Sequence, residues 1–234
     1  GKTISQTTKI TTINNFRSLD VSLNGQGAPL VPVGDLLLFQ KHKYCINLGG
    51  FANISIKTNE KIIAFDICPA NIVLNDICKE LRIEYDSNGD ISREGKIIET
   101  LLQQLNQLDF YIKKAPKSLG REWVEEHIFP ILKKNKPEDL LCTFCEHIAI
   151  QIGKFLADES ALFTGGGVFN SFLIERITFH CKAKILVPNK ELIEFKESLI
   201  FAFLGVLKIR SEVNCLKTVT GADRDNCGGV IHQI

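Results

Sequence analysis

Two glycine turns and one carboxylate carry the chemistry this sequence offers first. Asn47-Leu48-Gly49-Gly50-Phe51-Ala52-Asn53 and Thr164-Gly165-Gly166-Gly167-Val168-Phe169-Asn170 each continue an apolar run. A strand that ends in glycines exposes backbone N–H groups able to cradle phosphate, and the N-terminus of a following helix adds a favourable dipole. Each turn also has a plainer reading, because Gly49-Gly50 suits a tight hairpin and a glycine triplet permits close packing. Together, in this order, they favour a nucleotide, held by Asn47, Gly49, Gly50 and Asn53 in the first turn and Gly165, Gly166, Gly167 and Asn170 in the second. The carboxylate is Asp20. Phe16-Arg17-Ser18-Leu19-Asp20 stands just before Asn24-Gly25-Gln26-Gly27-Ala28-Pro29, a loop whose backbone can approach a ligand closely. Asp20 can serve there as a general base, although capping a turn is the commoner role for an aspartate at this spacing.

Metal chemistry has less support. Cys142-Thr143-Phe144-Cys145-Glu146-His147 contains half of a zinc site, but a structural zinc needs a second ligand pair and His180-Cys181 is a poor one. The segment also lies on a strong helical pattern, where buried thiols act as small hydrophobes. Asp86-Ser87-Asn88-Gly89-Asp90 opens like a calcium loop, yet glycine is not sixth and Ile97 stands twelfth, where a bidentate carboxylate is required. It reads as a turn, and no metal ligand set is expected. Trp123 and His127 share a helical segment and are expected to pack.

The elements that must position these residues follow from periodicity. A chain of 234 residues that is 44% hydrophobic and 24% charged has the composition of a folded globular protein. The residues at 10–14 suggest a β-rich opening, followed by a Gly/Pro-punctuated loop over 24–34. Short β segments at 44–48, 51–57 and 61–66, separated by Gly49-Gly50 and by Thr58-Asn59-Glu60, predict an antiparallel meander. Helical periodicity then covers 72–81, 91–108, 121–132 and 137–156. A strand at 161–163, a helix at 170–179, a strand at 184–187 and a helix at 190–212 complete a mixed α/β plan.

A net charge of +1 offers no field that would draw the chain to nucleic acid or an anionic membrane. The longest apolar stretch, 198–207, is too short and too closely flanked by Lys196, Glu197 and Lys208 to span a bilayer. Eight cysteines in a long chain with no signal peptide, several of them inside apolar runs, predict reduced, metal-free thiols and a cytoplasmic location. Cys68, Cys215 and Cys227, near turns, are expected to be partly exposed. The chain begins at Gly1 and contains no Met, so a processed chain, a fragment or a partial sequence is expected.

Seven motifs, in order along nearly the whole chain, resemble the anhydro-N-acetylmuramic acid kinase family. They are Phe16-Arg17-Ser18-Leu19-Asp20, the loop from Gly25 through Pro29 to Pro32, Asn47 to Ile54, Pro116-Lys117-Ser118-Leu119-Gly120-Arg121-Glu122, the turn from Gly165 to Asn170, Lys196-Glu197-Ser198-Leu199-Ile200-Phe201-Ala202, and Val219-Thr220-Gly221-Ala222. The resemblance implies an α/β, actin-like (ribonuclease H-like) fold, in which two lobes built on β-β-β-α-β-α-β-α sheets close around ATP. This chain would supply mostly the second lobe: 1–43 as the tail of the first lobe with the sugar loop, 44–212 as the nucleotide-binding second lobe, and 213–234 as a C-terminal segment. It also implies the reaction, in which ATP and water convert the 1,6-anhydro sugar to its 6-phosphate in bacterial cell-wall recycling, with Mg2+ as cofactor. Asp20 matches the family's catalytic base, and Arg17, Gln26, Gly27, Ala28, Pro29 and Glu197 match its sugar-binding residues. The implied partner is a small-molecule sugar, with no nucleic acid or membrane, and a homodimer is compatible with the assignment.

The chain departs from the family in two places. Phe65-Asp66-Ile67-Cys68-Pro69-Ala70-Asn71 stands where the family has Phe-Asp-Thr-Gly-Pro-Gly-Asn, so a hydroxyl and two glycines are lost. The family's opening Gly-Thr-Ser-x-Asp-Gly phosphate loop has no counterpart, which leads to the expectation that this chain alone does not transfer phosphoryl groups. The alternative is a module of the same fold that binds sugar or nucleotide without turnover.

Overall fold

The computed structural model describes residues 1–58, 61–132 and 135–234. Residues 1–40, 57–64 and 195–234 form one unit, and residues 41–56 and 65–194 form a second. The first unit opens with helix α1 (Lys2–Thr8), strand β1 (Thr12–Asn14), helix α2 (Ser18–Ser22) and helix α3 (Val31–Leu38). The β-rich opening is thus corrected to a largely helical one. A strand is defined by its partner, and the run at 10–14 finds only a three-residue partner near the far end of the chain.

Next come strands β2 (Tyr44–Leu48), β3 (Phe51–Lys57) and β4 (Ile62–Pro69) and helix α4 (Asn71–Glu80). Of the turn expected at Thr58-Asn59-Glu60, Asn59 and Glu60 lie outside the described residues. Helices α5 (Asp90–Glu94) and α6 (Glu99–Asn106) replace the single helix expected at 91–108. The break falls at Gly95, whose backbone is extended and lies against Glu138, where a side chain would not fit. Helices α7 (Arg121–His127) and α8 (Phe129–Leu132) divide the next one, and helix α9 (Pro137–Gly153) follows. Strand β5 (Ser160–Thr164), helix α10 (Ser171–His180) and strand β6 (Lys184–Leu186) complete the second unit. Helix α11 (Lys190–Ile209) leads back into the first unit, which ends with helix α12 (Lys217–Thr220) and strand β7 (Val230–His232).

The five-stranded sheet has the order β4-β3-β2-β5-β6. β2 pairs antiparallel with β3 and parallel with β5, which in turn pairs parallel with β6. The order β-β-β-α-β-α-β-α implied by the family resemblance is therefore present, with α5 to α9 inserted before β5. In the first unit β1 and β7 form a separate two-stranded ribbon. There α3 and α11 share an apolar cluster of Leu30, Val33, Ile200, Leu204, Leu207 and Cys215.

Helix α9 is the centre of the second unit and packs against α4, α5, α6 and α10. Leu141, Phe144, Ile148 and Ile152 are fully buried, as their spacing predicts, but so are polar residues on other faces. Each of those polar groups is matched. Thr143 Oγ1 accepts from Ile98 N at 2.9 Å and donates to Asp139 O at 2.6 Å. Glu146 receives a two-pronged contact from Arg176 at 2.6 and 2.9 Å and a third from His180 at 2.6 Å. Burial pushes the Glu146 carboxyl up, and those donors together bring it below its usual value. His147 joins Asn106 through Nδ1 and Tyr111 through Nε2, both at 2.8 Å. Trp123 stacks on His127 with ring centres 4.9 Å apart, so both pack as expected.

None of the eight cysteines is joined in a disulfide. Cys68 and Cys215 are buried, which corrects their expected exposure: Cys68 lies within β4 and Cys215 packs into the α3–α11 cluster. Cys142 and Cys145 are buried on α9, and burial pushes the Cys145 thiol up to about 12. Only Cys181 and Cys227 are partly exposed. Native protein is therefore expected to show two thiols that react readily with a thiolate-specific reagent and six that react only after denaturation. Mass mapping of the modified sites checks this, and early labelling of Cys68 or Cys215 would contradict the structure.

Burial lowers the His147 pKa from 6.5 to about 3, so the folded protein keeps this imidazole neutral. Below pH 6.5 the unfolded chain binds a proton there that the folded chain refuses. Stability is therefore full above that value and is lost as pH falls toward 3, at about 1.4 kcal/mol per pH unit for this one group. Denaturant unfolding at pH 7, 6, 5 and 4 should show a shallower decline in His147→Gln than in wild type.

Candidate functional site

Asp20 sits on α2 and is fully buried. Its Oδ1 accepts from Thr220 Oγ1 at 2.8 Å, from Asn226 Nδ2 at 3.0 Å and from Cys215 Sγ at 3.0 Å. Its Oδ2 accepts from Gly27 N at 2.8 Å. Burial pushes the Asp20 carboxyl up, but the Cys215, Thr220, Gly27 and Asn226 donors more than offset it and hold the group below its usual value. The same closeness, added to burial, pushes the Cys215 thiol up to about 12.

The glycine loop wraps this carboxylate. Gly25 N donates to Asp20 O at 2.9 Å and Gln26 N to Thr220 O at 2.9 Å. Arg17 Nη1 donates to Gly27 O at 2.6 Å. Gly25 lies so close to Asp20 Oδ2 that any side chain there would overlap it. Gly27 is buried, Ala28 is half-buried, and Arg17, Gln26 and Pro29 are exposed along the loop. The structure thus gathers Asp20, Arg17, Gln26 and Gly27 into one hydrogen-bonded group. Glu197 stands exposed on α11, and none of the described contacts joins it to Asp20.

The glycine turns lie in the second unit. Gly49 and Gly50 form the β2–β3 hairpin, with Asn47 opposite Asn53. Their carbonyls, not their amides, face the next element: Gly50 O accepts from Ala70 N at 2.8 Å and Ile72 N at 3.1 Å, and Gly49 O accepts from Asn71 N at 3.2 Å. The hairpin therefore caps the start of α4 and holds it in place. Gly165 has a φ of 85° and lies against Asn47 and Leu48, so it takes a conformation and a space open only to glycine. Asn170 caps α10 by accepting from Leu173 N at 2.8 Å.

A pocket of about 450 Å³ opens between α4, the 85–88 loop and the turn at 166–170. Gly166, Gly167 and Asn170 line it, together with Asn71, Asn75, Tyr85, Asn88 and Phe169. Asn47, Gly49, Gly50, Asn53 and Gly165 do not line it. Gly49 and Gly50 set the start of α4 behind it, and Gly165 sets the second glycine turn against Asn47. The Asp86 carboxylate is engaged in accepting from Ile91 N, Ser92 N and Ser92 Oγ, which pins the 85–88 loop as the turn expected from sequence. Among the described residues no three His, Cys, Asp or Glu side chains are grouped to hold a metal ion.

Sequence reasoning missed Tyr85, Asn71, Asn75 and Phe169 at the pocket and Cys215, Thr220 and Asn226 around Asp20. Thr220 had a signal in the Val219-Thr220-Gly221-Ala222 motif. Asn226 had none, because its partner lies 206 positions away.

The family model described as anhydro-N-acetylmuramic acid kinase matches residues 1–233. An anhydro-N-acetylmuramic acid kinase of Bacillus cereus (strain ATCC 10987 / NRS 248) is 31% identical over 244 residues, covering 94% of this chain and 64% of that protein. Its counterpart in Pseudomonas savastanoi pv. phaseolicola (strain 1448A / Race 6) is 32% identical over 253 residues, covering 98% and 68%. That of Francisella tularensis subsp. novicida (strain U112) is 34% identical over 242 residues, covering 94% and 64%. Among solved structures, the activator of the 2-hydroxyisocaproyl-CoA dehydratase from Clostridium difficile with bound ADPNP matches 73% of this chain and 67% of that chain, at 16% identity and a TM-score of 0.43. The chain spans about two thirds of the length of the curated relatives it matches. With the match running from the first residue to the last but one, the chain belongs to the anhydro-N-acetylmuramic acid kinase family.

Proposed function

We propose that this chain forms the sugar loop and the nucleotide-binding lobe of an ATP-dependent kinase acting on 1,6-anhydro-N-acetylmuramic acid in the cytoplasm, as part of cell-wall recycling. The observation that carries the reading is the buried, ionised Asp20 enclosed by the Gly25 to Pro29 loop, in a chain of this family. In this reading a water attacks the anomeric carbon, the bond from that carbon to O6 breaks, and O6 takes the γ-phosphoryl group of ATP as the bond between its β- and γ-phosphates breaks and ADP leaves. Asp20 receives the water's proton. Oδ1 already accepts three hydrogen bonds and Oδ2 accepts one, so the base role falls to Oδ2. Gly25, having no side chain, lets the loop lie directly against that oxygen. Arg17, Gln26, Gly27, Ala28 and Pro29 would line the sugar, with Glu197 as a further contact.

ATP supplies the transferred phosphoryl group. The pocket in the second unit has the volume of a small-ligand site, with the Tyr85 and Phe169 rings for an apolar base and four asparagines for polar edges. Gly166 and Gly167 would present backbone to the nucleotide. Magnesium ordinarily binds through one or two carboxylates and the substrate's phosphates, so it would enter with the nucleotide and needs no protein cage. Residues 1–43, with Glu197, then serve the sugar, and the rest of 44–212 the nucleotide.

Two outcomes test these assignments. Gly166 has no atom within 4 Å of where a side chain would begin, and it lines the pocket. Gly166→Val should leave stability within about 0.5 kcal/mol yet weaken ATP binding by roughly tenfold or more, about 1.4 kcal/mol. Thermal melts and calorimetric titration read the two effects, and unchanged affinity would remove the pocket from the reading. In a preparation of the protein that phosphorylates the anhydro-sugar, Asp20→Asn should lower turnover by ~10²–10⁴ while ATP binding persists. Wild-type turnover in that variant would end the general-base assignment.

A further inference from the structure

Of the donors to Asp20, Cys215 alone also belongs to the apolar cluster shared by α3 and α11. It is buried there beside Leu30, Val33, Ile200, Leu204 and Leu207, and from that position its Sγ donates to Asp20 Oδ1 at 3.0 Å. A thiol suits both neighbours, because sulfur packs as a small hydrophobe while its hydrogen still serves a charged acceptor. Burial, together with Asp20 itself, pushes this thiol up to about 12, so it keeps its proton at neutral pH and is a permanent donor.

The backbone of Cys215 is held as well as its side chain. Cys215 and Asn226 form an antiparallel bridge, in which Cys215 N donates to Asn226 O and Asn226 N to Cys215 O, both at 3.0 Å. Residues paired in this way project their side chains to one side, and here both reach the same oxygen, Oδ1. Asn214 fastens the bridge to the end of α11, donating to Leu204 O at 3.2 Å and Gly228 O at 3.0 Å and accepting from Gly228 N at 2.7 Å. Among the described residues no other titratable group bonds the Asp20 carboxylate. Arg17 reaches Gly27 O, Asp223 takes Asn24 Nδ2, Asp225 takes Lys217 N and Lys208 reaches Cys227 O, while Lys217 and Arg224 stand exposed.

We propose that Cys215 is a positioning residue for the reaction set out above: with Asn226 it fixes Oδ1 of Asp20, leaves Oδ2 to receive the proton of the attacking water, and governs how readily that proton is taken. The inference rests on the reading of Asp20 as the base. A hydrogen bond given to a carboxylate stabilises its charged form, so the thiol keeps Asp20 ionised further into the acid range and makes it a weaker proton acceptor. Loss of the thiol reverses both effects.

The test follows kcat/KM against pH in a preparation of the protein that phosphorylates the anhydro-sugar. Cys215→Ala should move the acid limb of the profile up by about one pH unit, toward the ordinary carboxylate range. Cys215→Val removes the donor but keeps apolar volume in the cluster; it should give the same shift, and it serves if the alanine variant does not fold. Cys215→Ser keeps a donor and should hold the limb within about 0.3 pH unit of wild type. A merely structural role would lower turnover alike at every pH and leave the limb in place. In the chain itself the same shift is read without turnover, from the NMR titration of the Asp20 carboxyl carbon, assigned by its absence in Asp20→Asn. An acid limb or a carboxyl titration that stays put in Cys215→Val, or a serine variant that shifts as far as the alanine one, would overturn the inference and leave Asp20 as the base. Wild-type turnover in Asp20→Asn would end both.

Discussion

A carboxylate withdrawn from water must be matched by donors, and the first unit is organised around doing this for Asp20. Four donors reach it from positions 27, 215, 220 and 226, so one side chain joins the start of the chain to its last twenty residues. Each donor offsets part of the desolvation cost, and together they leave the group ionised. Gly25 follows from the same constraint, since the loop can close over the carboxylate only where no side chain stands between them, and Gly27 takes a φ of 67° that favours glycine. Removing any one donor would leave a buried charge short of a partner, which ordinarily costs more than the lost hydrogen bond alone. The candidate base and the candidate sugar loop are thus one structure.

Beside α11, the buried Lys196–Asp35 pair at 2.7 Å ties this helix to α3, which leads directly out of the loop. Such a pair adds little net stability after desolvation, but it penalises any slip of one helix along the other that would separate the charges. Lys196 precedes Glu197, so the register that the pair sets is also the register of the exposed carboxylate proposed to meet the sugar.

The second unit solves a different problem. α9 is buried on every face, so its polar residues need partners from α6, α10 and the segment before α7, and those contacts determine which helices surround it. Gly166 and Gly167 line the pocket, while the other turn glycines set the elements around it. Gly49 and Gly50 direct carbonyls into the first turn of α4, and Gly165 lets the chain pass against Asn47 and Leu48. The pocket is what remains between elements placed in this way. Part of its amide lining also holds the structure together: Asn71 donates to Leu48 O of β2 at 3.1 Å, and Asn170 caps α10.

Periodicity and turn chemistry alone determined most elements of this protein. The meander at 44–66, the alternation from β5 to α11 and the α9 face of Leu141, Phe144, Ile148 and Ile152 were legible because each depends on neighbours within a few positions. The family motifs also marked Asp20, its loop and Thr220. Tertiary structure decided what no local pattern encodes. It confined the strand expected at 10–14 to the ribbon strand Thr12–Asn14, since its partner β7 lies more than two hundred residues away. It buried Cys68 and Cys215, because a nearby turn does not reveal which side of an element meets the core. It broke the helix at Gly95, where the chain passes α9. It also gave Asp20 its donors Cys215 and Asn226: a hydrogen bond depends on angstroms in space, and residues so far apart along the chain leave no spacing to read.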